Sequence, residues 1–243
     1  MSSMVIKIAG IPLEVIYPSD LLSVMRVLAP YATNDRPFLT VSPSEDYDTW
    51  LFSVLPEQYK EYAPHTQLLH HVAEALIDYD CLLFHAAVIE VDGRAYAFSA
   101  PSGTGKSTHV ALWKRHFGDR AHIVNGDKPF LRRIDGTWYA CASPWAGKEN
   151  WQTKEDVPLD AICFLEQSAA NAIRPVGEKE ETDRLVFQLD PPEDPKKTEV
   201  WLDLIGKLIE EVPCSLLTCT ISNDAAKLAY QTLSGKDDWD HED

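Results

Sequence analysis

The chain has 243 residues, 45% hydrophobic and 25% charged, enough to bury a sizeable core as one large domain or one domain with a small appendage. Acidic residues outnumber basic ones by 38 to 22, a net charge of −16, which argues against non-specific binding to nucleic acid or an anionic membrane. The five cysteines are scattered, odd in number and without C-x-x-C or zinc spacing, and no apolar run approaches a membrane span, so a cytoplasmic protein with free, buried thiols is expected.

Residues 1–62 read as a small N-terminal α+β unit without evident chemistry. Val5-Ile6-Lys7-Ile8 and Pro12-Leu13-Glu14-Val15-Ile16 alternate as two strands around a turn at Ala9-Gly10-Ile11. A short helix over residues 21–28 stops at Pro30, and residues 38–41 and 50–55 are further strand candidates. A helix over residues 65–79 opens the main domain, which runs to residue 236. His65, His70 and His71 lie on that helix without the carboxylate or cysteine spacing of a metal site, so solvated or capped histidines are expected.

Residues 81–91 form one apolar strand, Asp92-Gly93 a two-residue hairpin turn, and residues 94–99 the returning strand. That strand feeds Ala100-Pro101-Ser102-Gly103-Thr104-Gly105-Lys106-Ser107-Thr108, a phosphate-loop pattern with Ala100 where the first glycine usually stands. Gly103 and Gly105 permit the tight turn that aims successive N–H groups at phosphate oxygens. Lys106 is a mobile charge for the β- and γ-phosphates, and the Ser107 hydroxyl suits Mg²⁺. Ser102, Thr104 and Thr108 complete the expected nucleotide-binding set, and the following residues read as a helix whose N-terminus favours anions. Because the loop strand enters through a tight hairpin, the sheet must be mixed rather than purely parallel.

Residues 121–125 form the next strand, ending in Gly126-Asp127. A carboxylate there is where a phosphate-loop enzyme places a second Mg²⁺ ligand, so Asp127 joins Ser107 as a metal candidate. A second hairpin turns at Asp135-Gly136. In the polar loop of residues 143–150, Lys148 and Glu149 read equally as a phosphate and metal contact or as an exposed pair. A central strand over residues 159–166, a short strand near 173–176, helices over 179–190 and 198–211, a late strand over 214–220 and a last helix over 224–233 follow. Residues 237–243 are an acidic tail expected to be disordered.

Residues 82–134 resemble the catalytic core of the HPr serine kinase/phosphorylase family, whose fold is related to that of phosphoenolpyruvate carboxykinase. The shared pattern is Leu83-Phe84-His85, the Asp92-Gly93 hairpin, Ser102-Gly103-Thr104-Gly105-Lys106-Ser107 and Val124-Asn125-Gly126-Asp127. The continuations Asp127-Lys128-Pro129 and Pro144-Trp145-Ala146-Gly147-Lys148 are more similar to uncharacterised HPr-kinase-like proteins and to peptide-tailoring kinases of lasso-peptide clusters. The resemblance implies an α/β phosphate-loop domain with a mixed, partly antiparallel sheet, binding ATP and Mg²⁺. It implies catalytic roles for His85, Lys106 and Asp127, and transfer of the γ-phosphoryl group to a hydroxyl of a peptide, protein or small molecule. The family's tandem aspartates share the base and metal roles; here Gly126 replaces the first. Asp127, His85 or Glu149 is then left to act as base, and a nucleotide-binding switch with weak transfer is the alternative reading. The donor (ATP or pyrophosphate), the acceptor and any homo-oligomer stay open.

Overall fold

The computed structural model describes residues 1–19, 22–42, 53–54, 56 and 63–239. Most of the expected strand over residues 50–55 lies outside them; Ser53 and Val54 are helical. Strands β1 (Ser2–Ile8) and β2 (Ile11–Tyr17) form a hairpin, with β3 (Leu39–Val41) parallel to β2. Helix α1 (Leu22–Leu28) lies between β2 and β3 in the chain. Ala9 and Gly10 both have positive φ, 49° and 72°, the conformation a two-residue hairpin turn requires.

Helix α2 (Ala63–Leu76) leads to β4 (Cys81–Leu83), β5 (Ala86–Val91) and β6 (Arg94–Ser99). Helix α3 (Lys106–Phe117), β7 (Ala121–Asn125), β8 (Phe130–Ile134) and β9 (Thr137–Cys141) follow. The long β10 (Val157–Gln167), β11 (Ala172–Pro175), α4 (Glu178–Val186), α5 (Pro195–Glu211), β12 (Cys214–Cys219) and α6 (Asn223–Ser234) complete the order. The main sheet is mixed and curled. β6 runs parallel to β10 and antiparallel to β5, while β10 pairs with β9 through its first residues and with β12 through its last.

Alternation along β5, β6 and β10 divides the core between the two faces of this sheet. Ala87, Ile89, Tyr96, Phe98 and Cys163 pack with Val110, Trp113 and Phe117 of α3 and Ala226 and Tyr230 of α6. Ala86, Val88, Ala97, Ile162 and Phe164 pack with Leu185 of α4 and Trp201, Ile205 and Leu208 of α5. Each large apolar side chain fully buried here contributes about 1.5–3 kcal/mol. A third cluster joins the N-terminal sheet and α2 to Leu83, Phe130 and Cys141. All five cysteines are free, and four are buried.

Two expectations change. The single strand over residues 81–91 is two strands: β4 pairs with β8, β5 with β6 and β7, and Phe84-His85 lies at the break. The second concerns the tail, whose first residues are docked rather than disordered. Trp239 is buried against Trp113, Phe117 and Tyr230, with its ring stacked on His116 at 3.8 Å, and Asp238 accepts hydrogen bonds from Arg120 and Tyr230. One aromatic residue outweighs the acidic composition around it.

Helix α5 starts at Asp194, whose carboxylate accepts from the Lys196 N–H at 2.9 Å, with Pro195 in the first turn. Asp194→Ala is expected to cost about 1 kcal/mol, read as a lower urea midpoint at unchanged slope. No helix among the described residues is long and apolar enough to cross a membrane.

Candidate functional site

The turn between β6 and α3 is shaped by Gly103 (φ +81°) and Gly105 (φ +118°), backbone conformations that side chains disfavour. Gly105 starts α3 without a side-chain cap. The Lys106 side chain folds back beneath this turn. It is only 7% exposed, and its Nζ donates to the Ala100 carbonyl at 2.8 Å and to His85 Nε2 at 3.0 Å. Burial lowers the Lys106 pKa; the Asp127 carboxylate opposes that effect and Lys128 adds to it.

His85 reaches Lys106 because the chain changes strand partners at this residue, from β8 to β6 and β7. Its backbone N–H donates to the Gln188 carbonyl at 2.8 Å, and its own carbonyl accepts from Ser99 Oγ at 2.9 Å. Nδ1 lies 2.9 Å from Gln188 Oε1. Nε2 faces both the Lys106 ammonium and the Asp127 carboxylate, so it accepts from Lys106 when it is unprotonated and donates to Asp127 when it carries the proton.

Asp127 is held by the turn after β7. Asn125 Oδ1 accepts from the N–H groups of Asp127 and Lys128 at 2.9 and 2.8 Å, and Asn125 Nδ2 donates to the Ser143 carbonyl and hydroxyl. The Ala86 N–H donates to the Asp127 carbonyl, which ties the turn to β5 beside His85. Asp127 Oδ1 comes within 3.4 Å of His85 Nε2. Burial pushes the Asp127 pKa up, but His85 and the positive charges of Lys128 and Lys106 outweigh it and hold the carboxyl below its ordinary range.

A cleft of about 400 Å³ gathers these groups, lined by His85, Lys106 and Asp127 together with Ser102, Gly103, Gly105, Ser107 and Thr108. Thr104 is the exception among the expected loop residues. It borders a small recess beside Leu165 and Thr220, and its carbonyl accepts from Gln167 Nε2 at 3.2 Å. Lys148 and Glu149 both line the cleft, on the loop whose Gly147 packs against Asp127. Sequence reasoning missed Gln188 and gave Asn125 no role of its own. Asn125 was signalled by its place in an Asn-Gly-Asp turn, whereas Gln188 belongs to no pattern.

The family model described as "SynChlorMet cassette protein ScmC" matches residues 57–187, more than half of the chain and all the cleft-lining residues. This chain belongs to the ScmC family. Among solved structures, the Hpr(Ser) kinase/phosphatase from Coxiella burnetii is similar at 12% identity and a TM-score of 0.34, over 63% of this chain and 88% of that one. No curated protein matches.

Gly126 has a steric explanation within this ScmC-family chain. A Cβ there would lie 2.9 Å from the Ala146 carbonyl oxygen and 3.7 Å from Trp151 Cβ, and the Gly126 N–H donates to the Trp151 carbonyl. The strand–loop contact leaves no room for a side chain. Gly126→Asp, which recreates a tandem carboxylate, is therefore expected to destabilise the fold by roughly 1–3 kcal/mol without raising activity. Thermal unfolding beside a transfer assay checks both parts.

Proposed function

We propose that the protein is an ATP- and Mg²⁺-dependent kinase that transfers the γ-phosphoryl group to a hydroxyl acceptor. The observation that carries this reading is the meeting of the buried Lys106 ammonium, at the root of a glycine-shaped turn, with the Asp127 carboxylate in one cleft. In a chain of net charge −16, a polyphosphate needs such a local concentration of donors and cations. Lys106 and the N–H groups of the turn bind the donor phosphates, and Lys148 adds positive charge from the facing loop.

Among the described residues, no group of three or more His, Cys, Asp or Glu could hold a metal ion. Mg²⁺ commonly takes one or two carboxylates, with substrate phosphates and water completing its shell, and that chemistry fits this donor set. Ser107 Oγ and the Asp127 carboxylate would hold it, and the ion would neutralise charge on the phosphate oxygens.

In the transfer, the acceptor oxygen bonds to the γ-phosphorus as the bond from phosphorus to the β–γ bridging oxygen breaks. ADP departs with those electrons, and the hydroxyl proton passes to an Asp127 carboxylate oxygen. With Nε2 unprotonated and accepting from Lys106, His85 orients the lysine and Asp127 serves as base.

A nucleotide-binding switch is the second reading, favoured by the lone carboxylate at Gly126-Asp127. Calorimetric titration with ATP and with pyrophosphate, followed by labelled-phosphate transfer to a panel of hydroxyl compounds in Mg²⁺, separates the readings. Transfer from ATP supports the kinase. Binding without transfer or hydrolysis leaves the switch, and absence of binding overturns both.

A further inference from the structure

A second cavity, of about 640 Å³, lies across Asp127 from the cleft, and the two share Asp127 and Gly147 as a common wall. Its far side comes from a part of the chain in which the sequence shows no chemistry. Val27 of α1, Leu69 of α2, Leu83 of β4 and Trp145 supply apolar surface, while Arg26 of α1 and Lys128 supply two cations. Among the described residues, neither cation makes an ion pair, whereas five of the nine arginines do. The cavity's other carboxylate, Asp190, is bound to His70 Nδ1 at 2.6 Å, which limits its opposition to the two cations.

We propose that this cavity holds the phosphoryl acceptor, and that the acceptor is a hydroxyl compound bearing a carboxylate beside an apolar group. The proposal rests on the kinase reading for its reaction, and on charge and shape for its ligand. A compound seated there presents its hydroxyl at Asp127, the residue that faces both compartments, while the carboxylate meets Arg26 and Lys128. The apolar part packs on Leu69, Leu83 and Trp145. Placing the acceptor across Asp127 from the phosphate loop leaves the loop side to the donor, so both substrates bind without competing. The ScmC match begins at residue 57, so the α1 wall lies outside the segment that defines the family. The N-terminal unit therefore adds Arg26 and Val27 to a cavity whose remaining apolar wall, Lys128 and Asp127 lie in the shared segment.

The test is equilibrium binding to the full chain of a panel of hydroxyl compounds with apolar substituents, each as a free carboxylate and as its neutral amide. The panel includes free hydroxy acids and short peptides carrying the same group at their end, which distinguishes a metabolite from a peptide source. At least one carboxylate member is expected to bind about tenfold more tightly than its amide, with the preference lost in Arg26→Glu and retained in Arg26→Lys. Arg26 is exposed, so the fold should survive both changes; far-UV circular dichroism checks this. Absence of carboxylate binding throughout the panel, equal binding of acid and amide, or a preference indifferent to Arg26→Glu would each overturn the proposal. ATP titration in parallel keeps the failures distinct. Donor binding and transfer without carboxylate selectivity remove the acceptor assignment alone, whereas loss of donor binding removes the kinase reading and leaves the carboxylate titration to judge the cavity.

Discussion

On the proposed kinase reading, Asp127→Asn is expected to lower kcat for phosphoryl transfer by about 10²–10⁴-fold while the fold and the position of the side chain are kept. Asparagine preserves the shape and an oxygen within reach of His85, but it cannot take the acceptor proton. The turn that holds this residue depends on Asn125 and Ser143 through backbone and hydroxyl contacts, none of which uses the Asp127 carboxylate. The loss should therefore fall on the chemical step rather than on structure. A pH profile gives an independent check. Burial alone would raise the carboxyl, yet His85, Lys128 and Lys106 hold it below its ordinary range, so this carboxylate stays ionised well into acid. Activity should be level across neutral pH and decline only as the pH falls through that depressed value. A base of imidazole type would instead give an acid limb between about pH 5 and 8, and that result would take the role from Asp127.

Much of the fold follows from local chemistry that a sequence displays openly. At Asp92-Gly93 and Asp135-Gly136 all four residues have positive φ, which few residue types adopt, so these hairpins announce themselves. The glycine turn before α3 is legible for the same reason. The break at Phe84-His85 was not legible, because these residues continue an apolar run without Gly or Pro. Their change of direction is imposed by distant partners: β8 takes Cys81–Leu83, while Gln188 and Leu189 pair with the two residues at the break. That non-local switch aims His85 at Lys106. The role of Gln188 was hidden because it acts through a carbonyl oxygen and a backbone contact, which leave no signature in residue type. Trp239 was missed for a related reason: local composition reports solvation, whereas a single aromatic side chain can dock wherever α3 and α6 leave an apolar groove.

Lys106→Met is expected to reduce transfer by about 10²–10³-fold, the cost of removing a positioned donor from developing charge. Its effect on stability should run the other way. In the free protein the ammonium is desolvated, satisfied by Ala100 and His85 but held at a depressed pKa, a sign that burial of the charge is opposed by its surroundings. Methionine keeps most of the volume and removes the charge, so the thermal midpoint without nucleotide should stay level or rise. Saturating ATP exposes the difference between the two proteins. A ligand at 100 times its Kd stabilises the state it binds by about 2.7 kcal/mol, and this gain should appear in the unmodified chain and largely vanish in the variant. An equal ATP-induced shift in both proteins would mean that Lys106 does not bind phosphate. Its burial would then be structural, and the cleft would owe its anion affinity to the turn alone. The expected pairing of lost activity with unchanged or raised intrinsic stability distinguishes a lysine held for its ligand from one held for the fold.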